Sequence, residues 1–350
     1  MRDDELRAQR AKLKIFFGFA PGVGKTYRML QVARDLVIEQ KVPDVVVGLV
    51  ETHQRFDTAS LLLGLEILPR KAFDHHGRTL EELALDGALA RRPRLLLVDE
   101  LAHTNAPGAR HAKRWQDVLE LLDAGIDVYT TVNIQHVESL NDVVAQITAV
   151  RVRETVPDSV VDDADEVELV DLPPEALLER LRTGRVYVPQ SVQAARESFF
   201  RPGNLTALRE LALRRTAQWV DRQMQEYKRA KGIRAIWPAS ERIMVAVSPA
   251  PSAGKIVRAA KRMAAGLHAD LIAVYVQTPR TADLSPRDHD QVASTLRLAQ
   301  SLGAETATIS GENAAAELVG LARARNVSKI VVGKTGQSRF REAIFGSFVH

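Results

Sequence analysis

Phe16-Phe17-Gly18-Phe19-Ala20-Pro21-Gly22-Val23-Gly24-Lys25-Thr26 has the local order that a phosphate-binding loop needs: an apolar strand, a glycine-rich turn, Gly-Lys-Thr, and then a helix. A polyphosphate requires several backbone N–H groups converging at a helix N-terminus, and glycine lets the backbone come close without a Cβ in the way. Gly22, Val23 and Gly24 are the expected cradle. Lys25 is expected to reach the β- and γ-phosphates, and the Thr26 hydroxyl to sit on Mg2+. The strict pattern asks for glycine where this chain has Phe19, with Gly18 one place early, so the loop is a variant. The tripeptide recurs at Gly333-Lys334-Thr335 with Ser328 where the first glycine belongs, and that copy is not read as such a loop. The first copy differs in context: 14–17 reads as a buried strand, and Met29, Leu30, Val32, Ala33, Leu36 and Val37 fall at helical spacing.

Arg94-Leu95-Leu96-Leu97-Val98-Asp99-Glu100 is an apolar run ending in two carboxylates. Asp99, at the carboxyl end of a parallel strand, is expected to hold Mg2+ through water, and Glu100 to orient or deprotonate an attacking water. A core strand followed by two solvated acids would look the same in isolation. A plausible phosphate loop upstream, with room for other βα units between, tips the reading to function.

The 350 residues are enough for two domains, each with its own core, and a hydrophobic content of 45% with 26% charged residues is that of an ordinary globular protein. No apolar run approaches the roughly 18 residues of a membrane span, and the N-terminus is not a signal peptide, so these residues read as cytoplasmic. The absence of cysteine excludes disulfides, thiolate zinc sites and thiol nucleophiles. His75, His76, His103, His111 and His136 show no metal-ligand spacing and read as surface or loop histidines. The net charge of +4 is uneven: residues 236–350 carry 14 Lys or Arg against 9 Asp or Glu, while the first 235 carry 34 against 35. That suggests a modest anion preference in the C-terminal module and no nucleic-acid surface.

In the first 150 residues, strands are expected at 14–17, 45–50, 95–98 and 128–132, and helices at 26–40, 58–67, 79–91, 113–124 and 137–147, giving a parallel α/β sheet of the P-loop kind. Ligand chemistry in such a sheet belongs at the carboxyl ends of the strands, where Glu51-Thr52-His53, Asp99-Glu100 and Asn133-Ile134-Gln135-His136 fall. Arg110 and Arg114 follow the acidic pair and are candidates for neutralising phosphate charge. Residues 151–235 offer strands at 166–170 and 185–188, an Asp-rich stretch at 158–165 and a basic helix at 205–231; 232–240 reads as a linker. A second α/β unit opens with strands at 243–247 and 271–276 around a helix at 254–266. At its end, Gly333-x2-Gly336-x9-Gly346-Ser347 follows a strand at 329–332, and such glycines with a hydroxyl can surround a phosphate as readily as they can form a plain surface loop.

Residues 12–230 resemble the sensor domain of the KdpD family of potassium-responsive sensor histidine kinases. The likeness runs through Gly22-Val23-Gly24-Lys25-Thr26-Tyr27, Val50-Glu51-Thr52-His53, the stretch from Asp99 to Gly108, Thr131-Val132-Asn133-Ile134-Gln135-His136 and the stretch from Asn204 to Glu210, in that order. Residues 242–350 resemble the universal stress protein domain that follows in that family, whose ATP-binding members use the Gly-x2-Gly-x9-Gly-Ser pattern. Some family members are similar to cyclic-di-AMP receptors through Ser-x-Ser, twenty residues, then Phe-Thr-Ala-x-Tyr. This chain keeps Ser248, Ala273 and Tyr275 but has Ala250, Leu271 and Ile272, which makes cyclic-di-AMP doubtful and ATP the better fit. The resemblance implies a sensor domain over 1–230 with a helical tail from about 190, a linker at 231–241 and a stress-protein domain at 242–350 without its last strand. The family's membrane spans, phosphoacceptor histidine and catalytic ATPase domain would lie beyond His350, whether the chain is a fragment or naturally short, so no histidine autophosphorylation is expected of these residues.

The function expected is ATP-Mg2+ binding that biases a conformation read by a histidine kinase domain or the cognate response regulator of potassium uptake. An alternative is an ATPase or phosphotransferase with Glu100 as base. A third is a nucleotide-independent adaptor working through the helix at 205–231.

Overall fold

The structure is a computed structural model and describes residues 11–52, 55–75, 77–184, 198–233, 241–267, 269–279 and 284–333. The chain divides into two compact units, Met1–Asp221 and Arg222–His350.

The first unit contains β1 (Leu13–Gly18), α1 (Lys25–Ile38), β2 (Val45–Leu49), α2 (Phe56–Ser60), β3 (Glu66–Ile67), β4 (Lys71–His75), β5 (Arg78–Glu82), α3 (Leu85–Arg91), β6 (Leu95–Val98), α4 (Arg114–Asp123), β7 (Asp127–Asn133), α5 (Asn141–Thr148), α6 (Asp158–Asp162), β8 (Glu166–Leu169), α7 (Pro174–Arg182) and most of α8 (Pro202–Ala230). Its main sheet is parallel, in the order β3-β2-β6-β7-β1-β8. The inner strands are nearly continuous apolar runs because helices cover both faces. Side chains alternate between two cores: Ile15, Phe17, Leu96 and Val98 pack with Val118, Leu121 and Leu122 of α4, while Phe16, Leu95 and Leu97 pack with Met29, Leu30 and Ala33 of α1.

Two expected helices are corrected. In place of a helix over 58–67, α2 ends at Ser60; the chain turns through 61–65 and adds β3 to the sheet edge beside β2, where Leu68 N donates to Val47 O at 2.9 Å. Gly64, at φ +88°, is a stop for the helical pattern. In place of a helix over 79–91, residues 71–82 form an antiparallel hairpin, and the helix begins only at Leu85. Leu80, Leu83 and Leu85 mimic helical spacing, but the backbone of 78–82 is taken by cross-strand pairing such as Lys71 opposite Glu82.

The second unit holds the end of α8, then β9 (Arg242–Val247), α9 (Ala253–Gly266), β10 (Asp270–Gln277), α10 (Pro286–Ser301), β11 (Glu305–Ser310), α11 (Ala314–Ala324) and β12 (Lys329–Val331), with a parallel sheet in the order β11-β10-β9-β12. The same alternation places Ile243, Val245, Leu271 and Ala273 against α9 and α10, and Met244, Ile272 and Val274 against α11. The fold class is α/β throughout. The strand expected at 185–188, most of the linker at 232–240, and Gly336, Gly346 and Ser347 lie outside the described residues.

Candidate functional site

The register of the first sheet assembles the site. Gly18 at the end of β1 pairs with Asn133 at the end of β7, and Val98 at the end of β6 pairs with Thr130, which sets Asp99 level with Thr131. Three strand ends therefore open onto one pocket, lined by Pro21, Gly22, Gly24, Lys25, Thr26 and Asp99 together with Arg55, His103, Asn133 and Glu154 among others.

Gly24, in the left-handed region at φ 107°, starts α1; among the described residues no side chain caps this helix and its first turn carries no acid. The first-turn N–H groups and the positive end of the helix dipole are thus left for an anion. The glycine displaced to position 18 has its own reason: a Cβ there would stand 2.7 Å from Val23 Cγ2 and 3.0 Å from Lys25 Cδ. The close approach that the strict pattern assigns to a loop glycine is made here by the last residue of the strand, and Phe19 is buried in the core.

Lys25 is buried, with Nζ donating to Asn133 Oδ1 at 2.5 Å and reaching Ala20 O at 3.5 Å, and burial pulls its pKa down to about 8. Thr26 Oγ1 donates to Asp99 Oδ2 at 2.9 Å across 73 positions of sequence. Thr131 Oγ1 donates to Asp99 Oδ1 at 2.5 Å and accepts from Glu100 N at 3.2 Å. The hydroxyl and carboxylate oxygens of Thr26 and Asp99 are hard donors beside a place for phosphate. That set fits Mg2+, which takes one or two protein oxygens and fills its sphere with water and phosphate. Thr26 and Asp99 would hold such an ion, and it would supply neutralisation of phosphate charge.

Glu100 sits at φ 58° and lines the pocket; burial and then the neighbouring Asp99 push its pKa up. Arg114 is buried beneath this turn, its Nη1 donating to Asp99 O at 3.1 Å and its Nη2 to Glu82 Oε2 at 3.0 Å. Glu82 Oε1 in turn accepts from Ala106 N at 2.8 Å and pairs with His103 Nε2 at 3.0 Å. Arg114 therefore braces the acidic turn from beneath and is not among the described residues that line the pocket. Arg110 is held by Glu120 and Asp86. The cations facing the pocket are instead Lys25 and Arg55, with Arg180 at the loop; neither arginine was a sequence candidate. Arg55 closes the stretch that follows β2, a position with some sequence signal, whereas Arg180 comes from α7 and had none. His103 and His136 line the pocket from a loop and a short turn; His136 Nδ1 donates to Glu154 O at 2.8 Å, and burial favours its neutral form.

Gly22, Val23, Gly24, Lys25, Thr26, Asp99 and Glu100 thus come together. Of the second set, Gly333 follows β12, where a Cβ would meet Ile256 Cδ1 at 2.6 Å.

Fold and site define a protein of two α/β units, the first a P-loop-like, Rossmann-type parallel-sheet domain. Residues 9–220 match the KdpD family, described as the osmosensitive K+ channel His kinase sensor domain, and residues 239–350 match the universal stress protein family. The chain belongs to the KdpD sensor family. It is 52% identical over 331 residues to the sensor protein KdpD of Escherichia coli (strain K12), covering 95% of this chain and 37% of that protein. It is 42% identical over 341 residues to a putative sensor protein KdpD of Synechocystis sp., covering 97% of this chain and 90% of that one. The chain therefore spans little more than a third of the length of the first of these relatives. Among solved structures, a universal stress protein from Archaeoglobus fulgidus in complex with dAMP is 18% identical, with a TM-score of 0.25 over 32% of this chain and 93% of its own. Among the described residues no helix is long and apolar enough to cross a membrane.

Proposed function

We propose that the chain is a nucleotide-binding regulatory module of a two-component system controlling potassium uptake. ATP-Mg2+ at the loop of residues 22–26 biases a conformation that a histidine kinase domain or the cognate response regulator reads, on the cytoplasmic side of the membrane. The observation that carries this reading is the meeting of Thr26 and Asp99 at 2.9 Å beside an uncapped helix N-terminus and a buried lysine. A ligand moves such an equilibrium only by the difference in its affinity for the two states. The pattern Gly333-x2-Gly336-x9-Gly346-Ser347 supports a second nucleotide site in the stress-protein domain at 242–350, separate from the sensor domain at 1–230.

Calorimetry with Mg-ATP on the intact chain, on Lys25→Ala and on a Gly336→Ala/Gly346→Ala variant tests both sites. Loss of one site in each variant is expected. Unaltered binding in Lys25→Ala would remove the first loop as an ATP site. The second reading, an ATPase or phosphotransferase in its own right, is favoured by Glu100, a carboxyl with raised proton affinity lining the pocket. It requires Glu100→Gln to lose turnover while keeping ATP affinity; a purely regulatory site has no turnover to lose.

A further inference from the structure

Arg55 and Arg180 have no assigned role, and their placement goes further than nucleotide binding. Arg180 Nη1 donates to Gly22 O and to Val23 O, at 3.3 Å each, so one guanidinium grips the phosphate loop from α7. Arg55 lines the same pocket from the start of α2, with a backbone fixed on both sides: its N–H donates to Thr52 O at 3.0 Å and its carbonyl accepts from Ala59 N at 2.9 Å. The charges near enough to interact with the Arg55 guanidinium include Asp99, Arg180 and Lys25. Asp99 gives it little relief, since its carboxylate oxygens already accept from Thr26, Thr131 and the backbone of Glu100. The Arg55 Nε is buried with no hydrogen-bond partner among the described residues. A buried guanidinium N–H without an acceptor, within electrostatic reach of a second guanidinium, is an arrangement that folded proteins avoid unless an acceptor arrives from outside.

The loop amides and the α1 N-terminus serve the phosphate nearest the helix, and Lys25 spans to the next one. Arg55 lines the pocket together with Asp99, and Arg180 sits on the loop carbonyls within electrostatic reach of Arg55; a terminal phosphate brings three acceptor oxygens, and forked donors read geometry as well as charge. We propose that Arg55 and Arg180 form an in-chain pair that reads the terminal phosphate, so that the site separates a nucleoside triphosphate from a diphosphate. The module then reports the ratio of the two nucleotides and not their sum. This inference rests on the loop of residues 22–26 being the nucleotide site.

The test is calorimetric titration of Mg-ATP and Mg-ADP into the intact chain and into Arg55→Gln, Arg180→Gln, Arg55→Lys and Lys25→Ala. The wild type should prefer ATP. Arg55→Gln should weaken ATP at least tenfold while ADP stays within about threefold, with Arg180→Gln acting in the same direction. Arg55→Lys should recover part of the loss, since it restores charge without the fork. Retained ADP binding shows that the variants are folded. Equal loss of both nucleotides, no change in either, or a wild type that does not distinguish them would overturn the proposal. Lys25→Ala should weaken both ligands; if it weakens neither, the loop reading itself fails, a result separate from the failure of the arginine pair.

Discussion

Thr131 shows how much a single hydroxyl can carry here. It is buried, donates to Asp99 Oδ1 and accepts from Glu100 N, so one oxygen orients the Asp99 carboxylate and fixes the turn that presents the next acid. Thr131→Val keeps the shape and removes the oxygen, leaving Asp99 Oδ1 and the Glu100 N–H with their mutual 3.1 Å bond but without the hydroxyl that orients both. The expected cost is about 1–3 kcal/mol of stability, read by denaturant unfolding, with a fall in Mg-dependent ATP affinity of roughly tenfold. A variant as stable as the wild type would mean that water replaces the hydroxyl. The loop glycines, Lys25, Thr26, Asp99 and Glu100 were legible in the sequence because they follow strands of apolar residues. Arg55 and Arg180 were not: Arg55 had only its place after β2 to suggest it, and nothing local to Arg180 says which loop its long side chain will reach.

At the level of elements, the unit that matters is β1, the loop and α1. Gly18 ends the strand at a point where Val23 and the stem of Lys25 fold back over it. Gly18→Ala forces a Cβ into that contact, and overpacking of this kind costs typically about 1–3 kcal/mol. Because the atoms displaced belong to the phosphate loop, ATP affinity should fall along with thermal stability. A substitution that lowers the midpoint while leaving ATP affinity intact would show that the loop relaxes independently of the strand. The inner strands and the long helices were readable from periodicity. The hairpin of β4 and β5 and the edge strand β3 were not, because short exposed elements with leucines at mixed spacing satisfy a helical pattern equally well, and only pairing partners distinguish the two.

The basic helix α8 belongs partly to its own fold. Arg215 is buried against Asp162, Arg209 bonds bidentately to Asp171, and Leu205, Leu208 and Ala212 join the core of the first unit. Part of the charge run is therefore internal support and not a free docking face, which weakens the adaptor reading.

For the whole molecule, two compact units predict two unfolding transitions in calorimetry. Mg-ATP at about 100 times its Kd should stabilise the first unit by about 2.7 kcal/mol, and Lys25→Ala should abolish that shift. If ATP moved neither transition in the wild type, binding at the loop would be excluded. The sequence by itself determined the α/β class and the strand-loop-helix that carries Gly22 to Thr26, because these depend on local period and on the steric freedom of glycine. Only the tertiary structure decided that Asp99 meets Thr26, that Gly18 takes over the close approach, that Arg114 braces a turn beneath the pocket, that Arg55 lines that pocket, and that Arg180 reaches the loop carbonyls. Those outcomes depend on strand order and register, which bring together residues up to 158 positions apart and which no local pattern encodes.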